Sequence, residues 1–261
     1  WKPYQNDHED ANGQFEMNWD YDDALVTADR HAFFKYMTRS IAEKHGLRAT
    51  FMPKPFAELT GSGCHAHVSL WRDGRNVFAD PSDPTGLSPT GYHFIGGLIH
   101  SADALAAITN PCVNSYKRIN APRTNSGATW APNTVTYSGN NRTHMIRIPG
   151  PGRFEFRLAD GAVNPYLLQA AILAAGLDGI RNHRDPGPRL DINMYTDGHT
   201  VEGLKRLPLN MLDALRALSG SAILGEALGP FVPSYLKLKN EEWNAYCQHL
   251  TQWERDTTLD C

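Results

Sequence analysis

The pentapeptide Arg153-Phe-Glu-Phe-Arg157 alternates charge with aromatic bulk. In a strand, that period of two puts Arg153, Glu155 and Arg157 on one face and both phenylalanines on the other. Such a face is either solvated, with cross-strand ion pairs, or it holds a ligand. Arg142 and Arg147 fall on the preceding predicted strand, so up to four guanidiniums converge on one carboxylate. That excess of positive charge is unfavourable unless an anion or a metal balances it, and polyphosphate would do so. In Cys64-His-Ala-His-Val68 the same alternation sets His65 beside His67. Two neutral imidazoles so placed ligate metal or contact phosphate, with ordinary structural histidines as the competing reading. Gly61-Ser-Gly63 ahead of them either admits close backbone approach to a ligand or only shapes a turn. The run His8-Glu-Asp-Ala-Asn-Gly-Gln-Phe-Glu16 gathers carboxylates around one turn, which suits a hard divalent cation, although acidic turns are more often merely solvated. Taken together, the three clusters point to metal-assisted phosphoryl chemistry and leave the substrate open.

These groups need elements to position them. Gln14–Trp19 alternates after an Asn12-Gly13 turn and predicts a strand. Thr27 caps a predicted helix over Ala28–Lys44, its apolar positions Ala32, Phe33, Tyr36, Met37 and Ile41 set to cover a sheet, with Gly46 to end it. Strands are predicted near Leu47–Met52 and Cys64–Trp71, followed by the turn Asp73-Gly74. Ser88-Pro89 opens a long helix running to Asn110-Pro111. From Asn120 to Asn141 the chain lacks periodicity and reads as a long surface loop, a candidate active-site lid. Thr143–Pro149 and Arg153–Leu158 read as paired strands, Asn164-Pro165 starts a helix to about Ile180, and helices follow around Met211–Leu218 and Asn240–Glu254.

With 261 residues, 41% of them hydrophobic, the chain can bury one large core. A net charge of -3 without a basic block argues against a nucleic-acid groove. Four cysteines with no C-x-x-C spacing suit a reducing, cytoplasmic setting, and no apolar run approaches the roughly 20 residues of a membrane span. There is no G-x-x-x-x-G-K-[ST] loop, G-x-G-x-x-G fingerprint or G-x-S-x-G elbow, which removes the commonest nucleotide and serine-nucleophile solutions. The chain opens on Trp1 in a polar segment, which suggests missing upstream sequence.

Ala49-Thr-Phe-Met-Pro-Lys-Pro55 followed by Gly61-Ser-Gly-Cys-His-Ala-His-Val-Ser-Leu70 closely resembles the ATP-binding signature of the glutamine synthetase family. Asn114-Ser-Tyr-Lys-Arg118, Asn141-Arg142, Ile146-Arg-Ile-Pro149, the Arg153–Arg157 strand and Asn164-Pro-Tyr-Leu167 recur there in this order, and the wording is most similar to the bacterial type III group, which includes gamma-glutamylmethylamide synthetases. The resemblance implies an α+β catalytic domain over 1–261, its antiparallel sheet forming a funnel-like half-barrel backed by helices, with the small N-terminal β-grasp domain absent. It implies ATP with Mg2+ or Mn2+ as cofactors, and glutamate with ammonia or a small amine as partners. It also implies cytoplasmic, stacked, dodecamer-like homo-oligomeric rings for the whole protein. Glu9, Glu16, His65 and Glu155 match metal ligands. His67, Ser69, Arg147 and Arg153 match the nucleotide side. Gly61, His65, Arg118 and Arg157 match the glutamate side, with Arg118, Arg142 and Arg157 around the transferring group. If the family's longer Glu-to-Glu spacing applied, His8 would replace Glu9.

Departures from the family pattern accompany this match. The paired glutamates that complete both metal sites lie on an earlier strand outside the sequence, as does an aspartate that the N-terminal domain lends to a neighbouring subunit, so this segment alone is expected to be inactive. The loop Ile119–Asn141 matches the family's flap but contains no Asp or Glu, where the family usually places an ammonium-binding glutamate. That makes a primary amine such as methylamine a serious candidate. The connection Pro149–Arg153 lacks a lysine that some members place near adenine. Tyr195, in Ile192-Asn-Met-Tyr195, lies where some bacterial members carry an adenylylated tyrosine, although its flanks differ and favour an ordinary packed or surface residue. Rival functions are another amine specificity, a non-catalytic structural relative, and a metal-dependent hydrolase or kinase using the same acid and arginine cluster.

Overall fold

The computed structural model describes residues 1–261, and the central sheet that carries His67, Arg147 and Glu155 packs its aromatic face on a helical layer. A hairpin of β1 (Pro3–His8) and β2 (Phe15–Trp19) opens the chain and presents the acidic turn between its strands. The central sheet has the order β3 (Ala66–Val68), β8 (Arg153–Phe156), β7 (Ile146–Gly150), β6 (Tyr137–Ser138). Its pairings are antiparallel except β6 with β7, which run parallel, and the strands do not close into a barrel. A small hairpin of β4 (Trp71–Arg72) and β5 (Arg75–Asn76) turns at Asp73-Gly74.

The aromatic half of the Arg153–Arg157 pattern builds the core. Phe154 and Phe156 are fully buried, and Phe154 packs on Phe78 and Phe94, with ring centroids 5.9 and 5.6 Å apart. Phe94 belongs to α2 (Pro89–His100), whose N-cap Ser88 accepts a hydrogen bond from Gly91 N at 3.3 Å. Behind α2 lies α5 (Pro165–Arg181), capped by Asn164, which accepts from the amides of Tyr166 and Leu167. The two helices meet at Gly97 and Gly179, where an added Cβ would collide with the other helix's backbone, so glycine sets their spacing. α3 (Ala102–Thr109) and α4 (Ser115–Ile119) lead to the loop, and α6 (Met211–Ser219), α7 (Ala222–Leu228), α8 (Phe231–Gln248) and α9 (Gln252–Thr258) close the helical side.

Several expectations change. The helix α1 (Ala24–Lys44) starts before Thr27 and packs mainly on α5, meeting the β1–β2 hairpin where the Phe34 ring lies 4.8 Å from that of Trp19, with Phe33, Tyr36 and Ile41 left exposed. Helical spacing shows that an apolar stripe exists; which surface it meets is a tertiary choice. Leu47–Met52 forms no ladder; Phe51 packs instead beneath Lys35 and Arg39 of α1, whose cations lie 5.4 and 5.0 Å from its ring. The single helix from Ser88 to Asn110 breaks at Ser101, and periodicity hides the break because both halves bury the same kind of apolar face. The loop after Asn120 is not wholly on the surface: Ala131 and Thr134–Ser138 are buried, and Val135 N donates to Lys205 O at 2.9 Å. The C-terminal helix begins at Phe231 and is interrupted at His249, after which a Thr251/Glu254 capping box starts α9.

Candidate active site

The register of the central sheet assembles the site. Glu155 on β8 pairs with His67 on β3 and with Arg147 on β7. Because Phe154 and Phe156 face the core, Glu155 turns to the opposite side, yet it is only 3% exposed. Its carboxylate accepts from Arg147 Nη1 at 2.8 Å on one oxygen and from Arg157 Nη1 at 2.7 Å on the other, with His65 Nδ1 at 3.2 Å from that second oxygen. Burial opposes ionisation here, but the hydrogen bond from His65 and the guanidiniums of Arg157 and Arg147 hold the Glu155 carboxyl well below its usual range. Arg147 is fixed further by Asn140 Oδ1, which accepts from its Nε and Nη2.

His65 is the centre's most informative residue. Burial, then the nearby charge of Arg157, pushes its pKa down to about 4, so the ring is neutral at neutral pH. A neutral imidazole whose Nδ1–H faces a carboxylate carries its lone pair on Nε2. That Nε2 is buried without a hydrogen-bond partner. Gly63 leaves room before it, since a Cβ there would stand 2.7 Å from Nε2 and 3.0 Å from Arg118 Nη2. An oriented, unpaired lone pair beside an open cradle fits a metal ion.

The remaining candidates occupy distinct shells. Arg153 is exposed, and its Nη1 donates to His67 Nδ1 at 2.7 Å instead of joining Glu155. Ser69 Oγ accepts from Trp71 Nε1 at 3.0 Å. Arg142 lies in the turn before β7 and not on the strand as expected; it is exposed and lends its charge to Glu9. Thus two arginines grip Glu155, not four. Arg118 is buried, donating from Nη1 to Leu158 O at 2.8 Å and from Nη2 to Arg157 O at 3.3 Å, and it reaches the site only at the Gly63 edge. Gly61 is buried and its carbonyl accepts from Gln14 Nε2 at 3.1 Å, which ties the acidic turn to the glycine loop.

On that turn, Glu16 is exposed with one hydrogen bond, from Asn18 Nδ2 at 2.8 Å. Burial, then the charges of Glu16 and Asp10, raises the Glu9 pKa above its ordinary value. The four expected metal ligands therefore fall into two pairs, His65 with Glu155 and Glu9 with Glu16. No three His, Cys, Asp or Glu side chains stand together at metal-binding spacing.

Three further features escaped the sequence reading. Asp10 accepts from Thr60 Oγ1 and, at 2.6 Å, from Ser126 Oγ, so the acidic turn clasps the loop. Its place in the opening motif was the only hint. Asp160, fully buried, accepts from Asn110 Nδ2 at 3.0 Å and Ala162 N at 2.9 Å; burial raises its pKa against the charge of Arg118. Tyr195 brings its hydroxyl to the arginines from a distant loop. Cys64 is no nucleophile, since burial lifts its thiol to about 11.

Residues 2–258 match the family described as "Glutamine synthetase, catalytic domain". Over its whole length the chain is 70% identical to a glutamine synthetase of Rhizobium leguminosarum bv. phaseoli, covering 60% of that protein. Over 98% of its length it is 47% identical to a glutamate–methylamine ligase of Methyloversatilis universalis, covering 59% of that protein. Among solved structures, a GmaS/ADP complex matches with a TM-score of 0.96 at 66% identity, and apo GmaS with 0.93 at 62%; the chain covers 60% of each. The chain thus spans about 60% of the length of these relatives.

Proposed function

This chain belongs to the glutamine synthetase catalytic-domain family, and from that premise we propose that the complete protein ligates ammonia or a small primary amine to the γ-carboxylate of glutamate. ATP would be consumed and γ-glutamyl phosphate formed on the way. The observation that carries this is the His65–Glu155–Arg157 centre, in which a neutral histidine with a free, oriented nitrogen meets two fixed guanidiniums beneath a glycine cradle. Such a centre is preorganised for charge that develops on a transferring phosphoryl group.

His65 with Glu155, and Glu16 with Glu9, would each hold part of a divalent cation site, and the cation would neutralise phosphate charge and orient its oxygens. The chain's own residues do the rest. Arg147 and Arg157 keep Glu155 ionised, and Glu155 keeps His65 in the tautomer with a free Nε2. Arg153 with His67, Ser69 and exposed Arg142 stand where cation and hydrogen-bond donors meet polyphosphate. Gly61, Arg118 and Arg157 frame the glutamate subsite. The loop clasped by Asp10 excludes water from the acyl phosphate.

A methylamine substrate is supported by the acid-free loop and by likeness to a glutamate–methylamine ligase and to GmaS. Likeness at 70% identity to a glutamine synthetase supports ammonia. Homo-oligomeric rings and a reducing cytoplasmic setting, in keeping with four unpaired cysteines, belong to the same proposal. Amine-dependent ADP release by the complete protein, with glutamate and Mg2+, tests it. Release with methylamine well above ammonium assigns a γ-glutamylmethylamide synthetase, and the reverse assigns glutamine synthesis. ADP release indifferent to any amine would return the protein to a kinase or hydrolase.

A further inference from the structure

Buried polar atoms are seldom left unpaired in native proteins, because an unpaired donor loses its water partners and gains nothing in return. Six side-chain atoms are in that position here. Ser101 Oγ, Asp103 Oδ1 and Thr134 Oγ1 belong to the helical layer and the loop behind the sheet, whereas His65 Nε2, Arg157 Nε and Tyr195 Oη belong to side chains around the active centre. The first two of this second group have evident uses in the chemistry above. Tyr195 has none there.

Tyr195 arrives from the segment between α5 and α6, following buried Met194, whose amide donates to Thr143 Oγ1 at 3.0 Å. Its phenol sits within charge range of Arg157 and Arg118, with Thr129 of the loop beside it. Thr129 Oγ1 donates elsewhere, to Ala131 O at 3.2 Å. By hydrogen-bond geometry the hydroxyl has no acceptor, and it lies near Arg118, whose Nη atoms are satisfied by carbonyls, and Arg157, whose Nε is unpaired as well. What such a place lacks is an anionic oxygen. Arg118 borders Gly63 at the opposite side of the centre from the Arg153–His67 pair, so the missing oxygen belongs to the amino-acid end and not to the nucleotide end.

We propose that the Tyr195 hydroxyl is a substrate-binding donor that hydrogen-bonds a carboxylate oxygen of glutamate in the subsite framed by Gly63, His65, Arg118 and Arg157. The loop residue Thr129 packs beside it, so closing the loop and seating the substrate would complete one and the same pocket. This assignment rests on the ligase reading for the identity of the ligand.

The test compares the complete protein with its Tyr195→Phe variant, using Tyr166→Phe as control, since the exposed Tyr166 hydroxyl already donates to Asp29 at 2.7 Å. Without ligand, Tyr195→Phe melts at or above wild type, because it removes an unpaired buried hydroxyl. Its KM for glutamate rises about tenfold, the usual loss for a hydrogen bond to a charged group, its glutamate-induced thermal shift shrinks, and its KM for ATP stays put. An unchanged glutamate KM with an unchanged thermal shift overturns the proposal. A rise confined to the ATP KM overturns it too and moves the hydroxyl to the phosphates. Ligand-free melting clearly below both wild type and the Tyr166→Phe control overturns it as a merely structural contact. The thermal shift reads glutamate binding without turnover, so wild type that neither shifts with glutamate nor releases ADP on amine addition refutes the ligase reading. Wild type that does both while Tyr195→Phe matches it refutes only the role of Tyr195.

Discussion

Glu155 lies 3% exposed in the middle of a four-stranded sheet, gripped by two arginines and a histidine, whereas Glu16 stands on an exposed two-stranded hairpin with a single hydrogen bond from Asn18. Both are glutamates on short strands with alternating neighbours, and both are given cation-binding roles in the proposed function. Their difference is what each strand has behind it. β8 backs onto the Phe78–Phe94–Phe154 cluster, so its polar face is buried and every charge on it needs a partner. The β1–β2 hairpin has little core beneath it, so its carboxylates remain in water or repel one another. One half of the centre is therefore buried and fully cross-linked by ion pairs, and the other half lies on an exposed hairpin with few partners.

The largest contrast should come from neutralising the two carboxylates in turn. Glu155→Gln strips buried Arg157 and partly buried Arg147 of their counter-charge and should cost about 3–5 kcal/mol of stability, readable as a lower denaturation midpoint. Glu16→Gln should stay within about 0.5 kcal/mol of wild type, while weakening Mg2+ dependence of the complete enzyme by at least about tenfold. Equal losses of stability from the two substitutions would erase the distinction.

Acid should attack the inner half next. The Glu155 carboxyl is held below its unfolded value, so its contribution is fully present above that value and is lost as pH falls. His65, with a folded pKa of about 4 against an ordinary value near 6.5, remains unprotonated while the unfolded chain takes up a proton, so stability declines from about pH 6.5 down to about 4. Equilibrium unfolding across that window should show the decline, and His65→Gln should remove part of it, the remainder belonging chiefly to half-buried His31, whose pKa is likewise lowered to about 4.

A smaller effect joins the two halves. Removing the Asp10 clasp on Ser126 and Thr60 with Asp10→Ala should leave global stability near wild type but loosen the loop. Tryptic cleavage at exposed Arg123 should become about fivefold faster, as expected for roughly one lost hydrogen bond. The smallest effect has the opposite sign. The Glu9 pKa is raised by burial and by Glu16, so its ionisation opposes folding as pH rises through its ordinary range. Glu9→Gln should then raise the ligand-free melting temperature by about 1–3 °C at pH 7.

Much of this centre was legible because strands have a period of two. That period alone separated Glu155 from Phe154 and Phe156 and set His65 beside His67, and the turn residues at Asn164-Pro165, Ser88-Pro89 and Asp73-Gly74 marked their elements correctly. It could not say how many arginines reach Glu155. Arg142 fell one turn short of β7, and Arg153 found His67, because both depend on where a strand begins. The helix over Ala28–Lys44 was visible by its stripe, while its partner α5 lies more than a hundred residues away in the chain.

The sequence by itself determined local geometry and chemical type: which residues share a face, where helices are capped, which side chains are available to phosphate and metal, and the family to which they belong. Those features depend on neighbours within a few residues and on short-range sterics. Only the tertiary structure decided which charges are buried, that His65 keeps a free Nε2 before Gly63, that Asp10 clasps the loop, and that the Tyr195 hydroxyl ends among arginines. Each of these follows from burial and from contacts between distant segments, and a dielectric environment has no value until the chain has folded around it.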